Sequence, residues 1–309
     1  MRRGLILALT AIPLIFPFVL PKSVVFMLGL AYLFVVYVVT WDLVAGYVGE
    51  VNLGHVVFIG LGAYTSALLV LNQNVPVPIS ILVGAVVATL FGLGVGAVCL
   101  RLKGYYLALV TAILPLVFVQ IVNIYPQIFG GYEGLSVGIK NALHRTTEGR
   151  YYIAYAFMLA SVLVLYRVVN SKFGLRLKAI RDDPELAESL GINVFKHKVM
   201  AFCISAFVSG LAGAITAFYR LSVGVDMFGV PLMLLIIISA VFGGLGTFFG
   251  AIIGALTIYI LKNWILMEVS YSTGIMGLDN LIIYAMLIVL ILKMPHGIFG
   301  LVKRFKEKD

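Results

Sequence analysis

The feature that most constrains this chain is a series of long apolar runs separated by short polar segments. A helix needs about 20 apolar residues to cross the ~30 Å hydrocarbon core of a bilayer, and ten runs approach that length. Charged residues make up only 11% of the 309 residues and hydrophobic residues 62%. Soluble chains carry about 25% charged residues, so a soluble enzyme or a nucleic-acid-binding module is excluded. The ten runs are 4–20, 23–41, 55–72, 78–100, 105–124, 151–169, 199–221, 230–243, 246–262 and 279–293.

The sequence therefore predicts an all-α integral membrane protein, a polytopic helical bundle of about ten transmembrane helices. The first run follows Arg2 and Arg3 and has the outline of a signal peptide, but it ends at Pro21-Lys22 without an A-x-A-like cleavage site. We therefore interpret 4–20 as a retained first helix. The runs at 230–243 and 246–262 are expected to form a hinged pair around their connecting glycines.

The distribution of basic residues predicts the orientation of the bundle. With the N-terminus inside, sixteen Lys and Arg residues fall in cytoplasmic segments and six, among them Arg220 and Lys262, fall outside. Cytoplasmic loops carry the excess of basic residues, so both termini are predicted to be cytoplasmic. The same rule explains the net charge of +9 without a nucleic-acid partner.

A polar segment at 42–54 separates two of the apolar runs. It contains Asp42, Glu50 and Asn52, and His55 follows it directly. Polar side chains at membrane depth are costly, and irregular backbone is tolerated there only where it lines protein or a cavity. Two interpretations are open: an interrupted helix that faces a solute pathway, or an ordinary polar turn at the cytoplasmic surface.

The most polar stretch of the chain is the predicted cytoplasmic connection 170–198. Within it, Asp182 or Asp183 can cap the N-terminus of a helix that has Pro184 at its first position and ends near Gly191. A two-turn helix is too short to be stable alone. It is therefore either a connector that docks on a partner or a capped surface turn.

Motifs for catalysis and for nucleotide binding are absent from the sequence. There is no G-x-x-x-x-G-K-[ST] phosphate loop, no H-E-x-x-H metal motif and no G-x-S-x-G nucleophile elbow. The acidic residues within or near the spans all fall at span ends, whereas ion-driven carriers need ionisable groups nearer mid-membrane. We predict no catalytic residue and no metal site, and a transport subunit whose energy comes from a partner. These acidic residues are Asp42, Glu50, Asp226, Glu268 and Asp279.

Five short motifs follow one another along the chain. They read GYVGEVNLGHVVFIGLGAY (46–64), RLKGYYLALVT (101–111), ELAESLG (185–191), VFGGLGTFFGAIIGA (241–255) and PHGIFG (295–300). The third resembles the E-A-A-x-x-x-G loop by which ABC importer permeases couple to their ATPase subunits. Together the five resemble the LivM-type permease of the branched-chain amino acid ABC transporters, over about residues 25–300. Asn52 stands where Ser is usual in that family, and Glu50 where Gln is common.

The resemblance implies a multi-pass permease subunit of an importer in the cytoplasmic (inner or plasma) membrane of a prokaryote, in contact with lipid. It implies ATP-binding subunits that carry ATP–Mg, so that this chain binds no cofactor itself. A second permease subunit (a paralogue or a second copy) and an extracytoplasmic solute-binding protein would complete the assembly. Residues 1–309 would form a single permease domain, with 170–198 as its coupling loop.

Two sets of site residues follow from the resemblance. In the coupling set, Ala187 and Gly191 are small, so the helix is expected to approach a groove of the ATPase closely, and the carboxylates favour its N-terminus. An amino-acid solute needs apolar walls and a few polar groups, which the second set would supply. The coupling set is Arg181, Asp182, Asp183, Glu185, Ala187 and Gly191; the solute-path set is Asn52, Gly54, His55, Gly62 and Tyr64.

Three alternatives stay open at this stage. A urea or short-amide permease is similar in the same motifs. An ion-coupled secondary carrier would work without ATPase subunits. A membrane-embedded enzyme would use His55 with Asp42 or Glu50 as acid and base.

Overall fold

The computed structural model describes residues 12–99, 105–275, 277–293 and 297. Seven helices in this part of the chain are long and apolar enough to cross a membrane, and two more apolar helices are shorter. The helices are α1 Phe16–Val19, α2 Lys22–Ala45, α3 His55–Gln73, α4 Val77–Cys99, α5 Tyr105–Ile124, α6 Pro126–Phe129, α7 Thr147–Val169, α8 Lys172–Asp182, α9 Pro184–Ser189, α10 Val194–Arg220, α11 Val230–Gly243, α12 Phe248–Ile260, α13 Met267–Thr273 and α14 Leu278–Lys293.

Two of these helices, α2 and α10, form the centre of the bundle. Every residue of α2 from 31 to 45 is buried, as expected for a helix that is apolar on all sides. It packs against α7, α10 and α12, while α10 also packs against α3 and α4. The central helices therefore connect elements that are far apart in the sequence.

Glycines allow α3, α4 and α10 to pack backbone against backbone. A β-carbon at Gly62 would lie 2.1 Å from the carbonyl oxygen of Gly210, and one at Gly84 would lie 2.6 Å from the carbonyl oxygen of Gly62. Small residues permit such close approach between helices in a membrane. This three-helix contact fixes the spacing of the bundle around position 62.

Most predicted spans coincide with helices, but two differ. The predicted span 4–20 lies partly outside the described residues, and its described part holds a 3₁₀ turn at Ile12–Leu14 and the four-residue α1. The span predicted to end at 262 continues through a π-helical stretch, Leu261–Leu266, into α13. Lys262 therefore lies within a helix and not in an outer loop, which corrects its predicted position.

The glycine-linked pair is confirmed as a hinge, since α11 ends at Gly243 and α12 begins at Phe248. The count of about ten helices and the cytoplasmic termini stay predictions, because residues 1–11 and 298–309 lie outside the described residues.

The predicted outer connection 125–150 is not a plain loop. It contains α6 and a two-residue strand, β1 Leu135–Ser136, which pairs antiparallel with β2 Ser222–Val223 just after α10. This pairing is the one correction to the all-α prediction within the described residues. It ties the connection 125–150 to the segment that follows α10, between Arg220 and Asp226.

Candidate functional site

The connection 170–198 contains two helices where the sequence predicted one. Ser171 caps α8 by accepting hydrogen bonds from the backbone amides of Phe173 and Gly174. Asp183 caps α9, and its Oδ1 accepts from the amides of Glu185 and Leu186 at 3.0 Å each. The short helix and its cap are therefore confirmed, with Asp183 as the capping residue. The signal for α8, a capping Ser before a mixed apolar and basic stretch, was present in the sequence and was missed.

The surface of α9 differs from the predicted one. Ala187 is 2% exposed and faces inward, because α9 packs on α8 and α10. The expectation that Ala187 presents a small face to a partner groove is therefore corrected. Leu186 and Leu190, which the sequence analysis did not select, are 57% and 72% exposed.

Gly191 follows α9 with a φ of +81°, and a β-carbon there would meet nothing within 4 Å. No neighbouring atom therefore requires the residue at position 191 to be small. Left-handed backbone after a helix is the usual place for glycine, because a β-carbon there strains the chain. Gly191 is needed for the turn that ends α9.

The side chain of Arg181 lies at a junction between three segments. Its Nη1 donates to the carbonyl oxygen of Gly46 at 2.9 Å, and its Nε and Nη2 donate to Asp182. Next to it, the carboxylate of Asp42 accepts a 2.9 Å hydrogen bond from the amide of Gly246. The end of α8, the end of α2 and the α11–α12 hinge are therefore bonded together.

Two further contacts tie the connection 170–198 to the segment after α2. Lys198, at the start of α10, forms an ion pair with Glu50, and both side chains are largely buried. The ammonium of Lys178 lies 5.4 Å from the ring centroid of Tyr47, a cation–π contact. The segment and the connection are thus linked at three points.

The segment 46–54 lies between α2 and α3, is not helical and is mostly buried. Trp41 donates from Nε1 to the carbonyl oxygen of Asn52 at 2.8 Å, and the amide of Gly54 donates to Asn52 Oδ1 at 2.9 Å. The amide of Leu53 donates to Thr111 on α5 at 3.1 Å. An ordinary exposed turn is therefore excluded, and the segment is a buried, irregular connection.

Two polar atoms in this region have no hydrogen-bond partner among the described residues. They are Asn52 Nδ2 and His55 Nδ1. The other ring nitrogen of His55 lies 3.2 Å from the hydroxyl of Thr40. Within the described chain no hydrogen bond joins His55 to Asp42 or Glu50, so the contacts of His55 give no support to an acid–base pair.

The remaining solute-path candidates lie further along α3, about 10–13 Å from His55 at 1.5 Å per residue. Gly62 is packed against Gly210 and so serves helix packing. Tyr64 is buried and stacks on Phe228, with ring centroids 5.5 Å apart and an interplanar angle of 18°. The structure therefore brings Asn52, Gly54 and His55 together but separates them from Gly62 and Tyr64.

The structure contains a large cavity elsewhere, and sequence reasoning did not find it. It measures about 510 Å³ and lies between α2, α10, α11 and α12. None of the five solute-path candidates is among its described lining residues. No group of three or more His, Cys, Asp or Glu side chains suited to a metal occurs in the part of the chain that the structure describes.

Long apolar helices packed around a buried irregular segment, with a helix pair in the polar connection 170–198, define a polytopic membrane protein. The chain belongs to the family described as "Branched-chain amino acid transport system / permease component", whose model matches residues 23–291.

Several relatives extend this match over most of the chain. The LivM permease of the high-affinity branched-chain amino acid transport system of Salmonella typhimurium is 26% identical, over 96% of this chain and 75% of the relative. The LivM protein of Escherichia coli is 24% identical over the same shares. A probable LivH permease of Methanocaldococcus jannaschii is 24% identical over 72% of this chain and 73% of its own length. No solved structure matches the chain significantly.

Proposed function

We propose that this chain translocates branched-chain, hydrophobic amino acids as a permease subunit of an ATP-binding-cassette importer in the inner membrane of a prokaryote. Separate ATPase subunits bind ATP–Mg and supply the energy, a second permease subunit completes the path, and an extracytoplasmic binding protein delivers the solute. The chain acts as one permease domain. The observation that carries the proposal is the exposed helix α9, bonded through Arg181 to the buried segment 46–54.

The surface of α9 supports its role as the docking element. Helices of six residues are not stable alone in water, and α9 is held by its Asp183 cap and by the buried Ala187. Leu186 and Leu190 are one turn apart on the same side of the chain and face solvent. We assign this pair, with Glu185, to the contact with an ATPase subunit.

The contacts of Arg181 provide a route from α9 to the membrane helices. Arg181 lies in the last turn of α8, the helix before α9, and bonds to Gly46, which directly follows α2. Gly246, in the α11–α12 hinge, is bonded to Asp42 on α2. A movement of α9 on closure of the ATPase subunits would therefore tilt α2 and α11 together. Such a tilt would open the solute path to one side of the membrane and close it to the other.

The unpaired atoms of Asn52 and His55 are consistent with two states of segment 52–55. A buried polar group without a partner costs roughly 1–3 kcal/mol. Such a cost is tolerated where the groups acquire water or solute in another conformation. We propose that this segment lines the inner end of the path once α2 tilts.

The proposal is tested by purifying the tagged full-length chain from its native membrane in mild detergent. The double variant Leu186→Ser/Leu190→Ser is compared with wild type and with Leu175→Ser, a control that changes an exposed leucine on α8. We expect ATPase subunits to accompany wild type and the control and to be lost from a still-folded double variant.

The purified complex is then placed in proteoliposomes with or without ATP at the cytoplasmic face. ATP-dependent uptake of L-leucine, inhibited by L-isoleucine and L-valine, is the expected result. Uptake of urea in place of leucine would move the assignment to the urea or short-amide alternative. Uptake driven by an ion gradient without any ATPase subunit would overturn the proposal.

A further inference from the structure

The 510 Å³ cavity lies beside the end of α2 that the sequence predicts to be the outer one, and it extends along that helix. Along α2 it extends from Phe26, near the outer end, to Tyr37, eleven residues further. At 1.5 Å per residue this is a depth of about 16 Å, or half the hydrocarbon core. Its volume falls within the ~300–1,000 Å³ typical of small-molecule sites.

The inner end of the cavity is closed by hydroxyl groups. Those of Tyr37 and Thr216 lie 2.5 Å apart, and both residues are buried. One turn further along α2, Thr40 contacts His55, and its carbonyl oxygen accepts a hydrogen bond from Ser205. The cavity thus ends inside the bundle, one turn of α2 before the contact between Thr40 and His55.

The middle of the cavity is apolar. Leu30, Leu33 and Phe34 contribute from α2, and Leu232 and Leu235 contribute from α11. Arg220 follows Thr216 by one turn of α10, so the charged groups and the hydroxyl pair are neighbours, and this apolar wall completes the lining. It suits an aliphatic side chain.

The mouth carries charges of both signs. Arg220 Nη1 and Asp226 Oδ2 form a 2.6 Å ion pair, and the two side chains are 35% and 55% exposed. Lys262 lines the same region. Among the described residues Asp226 Oδ1 and Arg220 Nη2 make no further hydrogen bond, so each group retains a free position for a ligand.

This arrangement matches the chemistry of an α-amino acid. Its ammonium and carboxylate groups are attached to one carbon, and a neighbouring pair of opposite charges binds both at once. Charge-assisted hydrogen bonds of this kind are the stronger ones, and Arg holds carboxylates in a defined geometry.

We propose that this cavity is a solute site in which Arg220 binds the α-carboxylate and Asp226 the α-ammonium of an aliphatic amino acid. The wall formed by Leu33, Phe34 and Leu235 receives the side chain. The proposal deepens the function proposed above and rests on it for the class of solute.

The first test measures binding of [³H]L-leucine to the purified full-length complex, with and without ATP, and its competition by two analogues. L-leucinamide lacks the carboxylate, and N-acetyl-L-leucine lacks the ammonium. We expect wild type to prefer L-leucine over both. In Arg220→Gln and Asp226→Asn we expect at least about tenfold weaker leucine binding. Arg220→Gln should also discriminate less against leucinamide, and Asp226→Asn less against N-acetyl-leucine.

Two further variants separate recognition from structure. The double variant Lys22→Gln/Glu148→Gln removes another ion pair at the outer surface, 3.9 Å apart and not among the cavity lining, and should bind leucine like wild type. The charge swap Arg220→Asp/Asp226→Arg keeps an ion pair but reverses it. If the pair only braces the turn after α10, the swap restores binding, and that result would overturn the proposal.

The outcomes distinguish this site from the proposed function. ATP-driven leucine uptake that Arg220→Gln and Asp226→Asn leave unchanged overturns the site alone. Leucine binding that depends on both residues in a chain that transports without ATP overturns the ATP-coupled function alone. A complex that does not bind leucine overturns the site.

Discussion

Arg181 donates a 2.9 Å hydrogen bond to the carbonyl oxygen of Gly46, a residue 135 positions earlier in the chain. The bond joins the last turn of α8 to the point at which the central helix α2 ends. Because its acceptor is a backbone atom, the contact depends on the guanidinium alone. Among the described contacts it is the most direct one between the connection 170–198 and a helix that lines the cavity.

Replacement of Arg181 by Ala should therefore uncouple ATP hydrolysis from transport. We expect solute-stimulated ATPase activity to fall toward its basal rate and leucine uptake to fall at least about tenfold. A hydrogen bond to a charged group contributes about 1.5–3 kcal/mol, so most of the fold's stability remains. The measurement compares ATPase stimulation and uptake in proteoliposomes.

Lys172→Ala is the matched control for Arg181→Ala. It removes an exposed basic side chain at the start of α8 and leaves the bond between Arg181 and Gly46 in place. It should transport at close to the wild-type rate. Full coupling in Arg181→Ala, with ATPase subunits still bound, would contradict the role given to this bond.

Local signals explain which parts of this structure were predictable. Long apolar runs predicted the membrane helices, and Asp183-Pro184 followed by Gly191 predicted α9, because caps and turns are encoded within a few residues. The hinge between α11 and α12 was likewise visible in its glycines. The family resemblance rested on the same short segments.

The remaining features depend on contacts between distant residues. Nothing near Arg181 in the sequence indicates Gly46, and nothing near Arg220 indicates that α2 and α11 complete a cavity beside it. Gly62 was predicted for the solute path, whereas its partner Gly210 shows a packing role. The continuation of the helix through Lys262 was missed because its polar residues resembled the end of a span.

Gly62 allows a test of the close packing between α3 and α10. In Gly62→Ala the new β-carbon would lie 2.1 Å from a backbone oxygen that cannot rotate away. Overpacking of this kind costs typically about 1–3 kcal/mol. We expect a lower Tm in detergent by several degrees, and reduced yield.

Gly94→Ala is the control for this substitution. A β-carbon at position 94 meets nothing within 4 Å, and the residue is also helical. Ala is favoured over Gly in a helix by roughly 0.5–1 kcal/mol, so this variant should be as stable as wild type or slightly more stable. Equal melting of the two variants would contradict the packing described for Gly62.

Glu50 and Lys198 form an ion pair, and the stability losses caused by mutating each of them should not be additive. Both side chains are largely buried, at 12% and 14% exposure. Removal of one partner leaves a poorly hydrated charge, so Glu50→Gln or Lys198→Met alone should cost on the order of 3 kcal/mol. The double variant should be more stable than the sum of the two losses predicts. Thermal unfolding of the four proteins gives the coupling energy, and simple additivity would show that the pair contributes nothing as a pair.

Substitution of Gly191 tests how the turn after α9 stabilises that helix. At a φ of +81° a side chain is strained even though a β-carbon would meet nothing, so Gly191→Ala should cost about 1–2 kcal/mol. Because α9 has only six residues, the loss should appear as local opening and not as global unfolding. We expect faster amide hydrogen exchange across Leu186–Leu190 with little change in Tm.

Gly191→Asn should show a smaller effect, because Asn tolerates this conformation better than Ala. Unchanged exchange in Gly191→Ala would mean that contacts with α8 and α10, and not this turn, hold α9 in place.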